Sequence, residues 1–142
     1  MHRVPLALAL QFEPLAAERG VSRVARGEKR STQTSGGFLQ AAKRVGGSRR
    51  ALAAMPVRIG ADQTWWQRRN AFCARHSAQQ RANREPALEP RGRYAGLPTR
   101  RELAMIMWLC SSLPPAKLRA VARKLVTARA PPAQSNAQHL SQ

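Results

Sequence analysis

A chain of 142 residues has room for one small domain with tails and excludes two full domains. Its 25 Lys and Arg against 7 Asp and Glu give a formal net charge of +18, which disfavours basic partners and points to polyanions. Only four of the cations are lysines, and no apolar run approaches the ~20 residues that cross a bilayer, so no membrane span is expected.

The N-terminal segment carries Arg3 and then a short apolar run ending at Leu10. That run is brief for a secretory signal and lacks a small-residue cleavage site. A cytoplasmic protein is expected, nucleoid-associated if it binds DNA. Residues 1–60 read as a basic, weakly structured arm. A short helix can be drawn from Phe12 to Arg26, but Gly20 and Gly27 interrupt it, and each glycine costs about 1 kcal/mol against alanine. Residues 28–37 have the composition of a linker. Short helices over Gly37–Val45 and after a Ser48 cap are marginal without packing. The Arg, Ala, Gly and Pro excess is also what a GC-rich coding sequence produces.

Residues 62–84 predict the first strong helix, capped by Asp62 or Thr64 and ended by Glu85-Pro86. Trp65, Phe72 and His76 form one apolar stripe, flanked by Trp66 with Cys73. Residues 85–98 form a loop rich in Pro and Gly. Thr99-Arg100-Arg101-Glu102 matches a capping box, opening an apolar run from Leu103 to Cys110. A last amphipathic helix runs from Pro115 to about Ala128, with Leu118, Val121, Ala122 and Leu125 on one face. Residues 130–142 read as a disordered tail.

The fold expected is all-α: a three-helix domain over 61–129, able to fold without the arm. Its core candidates are Trp65, Phe72, Leu103, Ile106, Met107, Trp108, Cys110, Leu118, Val121 and Leu125. Cys73 and Cys110 read as small buried hydrophobes, because no export signal supports a disulfide. No Cys/His spacing suits a metal, and no catalytic triad, carboxylate pair or phosphate loop stands out. No cofactor and no enzymatic activity are expected.

The function expected is non-enzymatic nucleic-acid binding, DNA or RNA, through phosphates and with little sequence specificity. Trp66, Arg68, Arg69 and Arg75 on the first helix would carry it, with Lys117, Arg119, Arg123 and Lys124 on the last. The helices 99–110 and 115–128 resemble a helix-turn-helix in outline only, and a plain αα-hairpin is the simpler reading. The alternative is an accessory protein docking an acidic partner through its tryptophans and arginines.

Overall fold

A computed structural model describes residues 1–28 and 36–129, with side chains as far as Leu125. Most of the expected 28–37 linker and the expected tail lie outside these residues. The protein is small and mostly helical, as composition and periodicity predict. It has seven helices and a two-stranded ribbon among the described residues, not three helices. In chain order these are β1 (His2–Arg3), α1 (Leu6–Leu10), α2 (Glu13–Glu18), α3 (Phe38–Arg44), α4 (Arg49–Ala54), α5 (Trp65–Ala82), α6 (Arg100–Met107), β2 (Cys110–Ser111) and α7 (Pro115–Arg129).

The long helices start where their caps are. Thr64 accepts from the Gln67 backbone N–H, and the Gln67 side chain returns the bond to Thr64 N, a complete capping box. Thr99 accepts from Glu102 N, but the Glu102 carboxylate does not return to Thr99. The box expected at 99–102 is therefore half made, and Glu102 is used inside the core. Ser48 caps α4 through Ala51 N, as its position predicts.

α6 is the central element. Leu103, Met105, Ile106 and Met107 are fully buried. α1, α2 and α5 all pack against α6, while α7 lies against α1, and α5 also meets α3 and α4. Of the expected core, Trp65, Leu103, Ile106, Met107, Cys110, Leu118, Val121 and Leu125 are buried; Phe72 and Trp108 are half-buried.

The N-terminal segment departs most from the sequence expectation. Val4, Leu8, Phe12, Leu15, Phe38, Leu39 and Leu52 belong to the same core cluster as α6 and α7. The segment also supplies a strand: β1 pairs antiparallel with β2, Arg3 opposite Cys110 and His2 opposite Ser111. Its helices have five to seven residues. Each is too short to show periodicity and gains its stability from contact with α5 and α6. Gly37 is a fixed point of this packing, since a Cβ there would collide with the Val24 carbonyl.

Phe12→Ala is expected to cost about 3–5 kcal/mol, the range for emptying a packed phenylalanine site. A fragment spanning 60–129 is expected to melt without cooperativity, because β2 loses its partner and α6 loses the cover of α1 and α2. Urea unfolding followed by circular dichroism checks both; a sharp transition in the fragment would return the arm to a dispensable role.

Candidate functional site: the disulfide corner

Cys73 and Cys110 are joined as a disulfide across 37 residues of sequence, with a Cα–Cα distance of 6.4 Å. This corrects their reading as two independent small hydrophobes. The reason is geometric: Cys73 faces inward from α5, and the chain turns back toward it directly after α6. The available sequence signal was only the even count of two cysteines, both in apolar positions.

The corner around Cys110 is built from several sides. Leu109 has φ +60°, a left-handed conformation that a leucine adopts only under constraint. Its carbonyl accepts from Val4 N at 3.0 Å and from Arg69 Nη2 at 2.5 Å. Arg69 Nε donates to the Trp108 carbonyl at 3.2 Å. On the other side, buried Glu102 accepts from Ser111 Oγ, from Ser112 N at 2.8 Å, from Ser112 Oγ at 2.9 Å and from Gln80 Nε2 at 2.9 Å. A buried carboxylate is tolerated here because donors surround it. Glu102 thereby holds the strand that carries Cys110.

Both sulfurs are covered. Cys73 is 1% exposed and Cys110 0%, and they form a small cluster with Met105 against which Phe72 and Trp108 pack. Trp108 lies stacked between Phe38 at 4.8 Å and Phe72 at 4.6 Å. The Met105 carbonyl is 3.3 Å from Cys110 Sγ, and the Trp108 carbonyl 3.8 Å from Cys73 Sγ. Each sulfur, once reduced to a thiol, has a carbonyl able to accept its hydrogen bond.

His76, three residues after Cys73, tilts over Phe72 at 4.2 Å. Its Nδ1 is 2.9 Å from Arg101 Nη1, and Arg101 Nε donates to Glu85 at 2.5 Å. Burial first, then the positive charge of Arg101 and Arg75, lower the His76 pKa below 6.5, while Glu85 pulls the other way. Nδ1 accepts from the arginine when the ring is neutral, which leaves the ring proton on Nε2.

The eight residues expected to bind nucleic acid are not one surface. Trp66 is 8% exposed, and the guanidinium groups of Arg3, Arg49 and Arg69 stand 5.4, 5.6 and 4.5 Å from its ring. Its π faces are engaged by the protein's own cations. Arg69 is buried and bound to the 108–109 carbonyls, its pKa lowered to about 10 by burial, then by Arg3 and Arg49. It is a structural residue, contrary to the expectation of a free phosphate contact. Arg68 is half-buried, donates to Gln63 Oε1 at 2.9 Å and lies over Trp65. Arg75 is exposed on α5; Lys117, Arg119, Arg123 and Lys124 are exposed on α7. The helix-turn-helix outline also gives way, since the connection between α6 and α7 contains β2, which is paired to β1.

Replacing Cys73 and Cys110 together by Ser is expected to lower stability by about 4 kcal/mol, the chain-entropy value for a closed loop of this length. Equilibrium denaturation checks it; an unchanged midpoint would remove the cross-link from the stability of the fold. The pH dependence of stability has a separate origin. The folded His76 pKa is depressed, so the unfolded chain binds the proton more readily. Stability is therefore complete above pH 6.5 and falls as pH drops from there toward the folded pKa. His76→Gln is expected to remove that part of the acid sensitivity; an unchanged pH profile would assign it to other groups.

No curated protein matches the chain. Residues 57–127, half of the chain, match the family described as Mimivirus sulfhydryl oxidase R596-like, C-terminal domain. The matched segment runs from Val57 into α7 and contains both cysteines of the disulfide. A sulfhydryl oxidase family overturns the expectation of a nucleic-acid-binding or DNA-binding protein. It equally overturns the exclusion of enzymatic function and the alternative of a purely accessory role. The chain belongs to the Mimivirus sulfhydryl oxidase R596-like C-terminal domain family.

Proposed function

We propose that this protein takes part in the oxidation of thiols to disulfides, with Cys73–Cys110 as its redox couple. The observation that supports the reading is the disulfide at the centre of a chain of this family. The chemistry is thiol–disulfide exchange. A substrate thiolate attacks one sulfur of Cys73–Cys110; a mixed disulfide forms and the other cysteine leaves as a thiolate. A second substrate thiol, deprotonated, displaces the mixed disulfide. The substrate leaves as a disulfide, and Cys73 and Cys110 retain its two electrons and two protons as thiols. The carbonyls of Met105 and Trp108 lie where they accept hydrogen bonds from those thiols. Favouring the reduced form in this way makes the couple a better oxidant.

Burial of both sulfurs favours a second reading. In it the cross-link is a permanent staple of an oxidase domain, shielded from the thiols that the enzyme handles.

The two readings separate in a single-turnover experiment. The native protein is treated with reduced dithiothreitol without oxygen and quenched with an alkylating agent. The expected result is one equivalent of oxidised dithiothreitol and two alkyl groups, on Cys73 and Cys110, with helical structure retained. The variant with both cysteines replaced by Ser is expected to give neither. A disulfide that stays intact until denaturant is added would overturn the exchange reading in favour of the staple.

A further inference from the structure

The covered disulfide lies behind a groove. Phe72 and Trp108, which pack on the Cys73–Cys110 cluster, also line a cavity of about 610 Å³ whose walls include Trp65. A second cavity of about 600 Å³ shares Val57, Arg58 and Trp65 with it. The two cavities adjoin along these shared residues as one channel, and only Phe72 and Trp108 stand between the first of them and the disulfide cluster. At its rim Ile59 is fully exposed, an apolar contact left in solvent.

The charge of this channel is one-sided. Arg23, Arg58 and Arg68 line the first cavity and Arg44 the second, and among the described residues neither wall contains an Asp or Glu. Arg58 is exposed and takes part in no ion pair among the described residues; Arg23 is 69% exposed and only 3.7 Å from Glu28. Arg58 can meet an anion directly and Arg23 by exchanging its exposed contact with Glu28, whereas Arg69 is buried and committed to backbone carbonyls. We infer that the channel is the docking site for an acidic peptide segment with an apolar anchor, and that the substrates of this protein are cysteines in such segments. The thiol part of the inference rests on the redox reading above; the acidic part rests on the wall itself. The apolar side chains of the peptide lie along Trp65, Phe72 and Trp108, its carboxylates meet Arg23, Arg58 and Arg68, and its thiol is held against the aromatic cover of Cys73–Cys110.

The test uses a fluorescein-labelled peptide of alternating Asp/Glu and Leu with Ser at the cysteine position, and its Asn/Gln counterpart. Fluorescence anisotropy of the full chain is expected to show binding of the acidic peptide and little of the amide one. Replacing Arg23, Arg58 and Arg68 together by Gln is expected to weaken binding about tenfold, the sum of three exposed charge pairs. Replacing the exposed Arg75, Arg91 and Lys124 by Gln removes the same charge and is expected to change it little. Arg58→Glu, at a residue with no ion pair to lose, is expected to weaken it as well without affecting the fold. Equal losses in the two triple variants, or equal binding of the two peptides, would overturn the docking site. The probe has no thiol, so its result stands or fails separately from the exchange experiment.

Discussion

The fold depends on one turn of backbone, residues 108–112, where the chain leaves α6. Here the helix must stop, reverse and deliver Cys110 to α5. Leu109 takes a left-handed conformation to do so, at a cost of order 1–3 kcal/mol. Four separate connections hold it: the disulfide, the Arg69 bonds to two carbonyls, the Glu102 cage around Ser111 and Ser112, and the ribbon with His2–Arg3. They come from α5, α6 and the N-terminus, so the turn is where three parts of the chain become one body.

This constraint also explains why charge misleads in this protein. Several arginines act as neutral builders would, by filling space and donating to carbonyls. Arg69 is one. Arg19 pairs with Glu89 at 3.0 Å, donates to the Pro98 carbonyl and lies over Tyr94, which ties α2 to the loop before α6. Arg3 reaches the Gly47 carbonyl, and Arg100 the Arg19 carbonyl. A guanidinium has five donors in a fixed fork and a long apolar stem, which suits it to cap several carbonyls at once. A count of charges cannot separate these from arginines that face solvent.

The strongly periodic elements were legible from the sequence. α5, α6 and α7 begin at the caps that Thr64, Thr99 and Pro115 mark, and their apolar positions are in the core. The N-terminal half was not. Leu6–Leu10 alternates leucine and alanine over five residues, a pattern that fits no helix period, and Phe12 and Phe38 each lie in an apolar stretch too short to show one. Their burial is decided by long-range contact with α6, which local pattern does not encode. The disulfide was hidden for a similar reason. Nothing in the spacing of Cys73 and Cys110 pairs them; only the reversal at Leu109 does, and that reversal is held by residues 40 and more than 100 positions away.

The same burial that makes Cys73–Cys110 a good staple sets the terms on which it can react. An exposed disulfide in a thiol-handling protein would exchange with every thiolate it met, whereas a covered one reacts only when its cover moves. That cover is the aromatic stack of Phe38, Trp108 and Phe72, ended by His76. Phe72 and His76 are anchored on α5 and Trp108 on the turn that Arg69 clamps. Moving the cover therefore means loosening Phe72 and Trp108, which also line the adjoining cavity. On the docking proposal, binding energy from a peptide against Trp65 and the arginines would offset that cost. Selectivity would follow from the channel and not from the sulfurs, since a small free thiol reacts only when the stack opens on its own and is therefore slower than one that the channel binds.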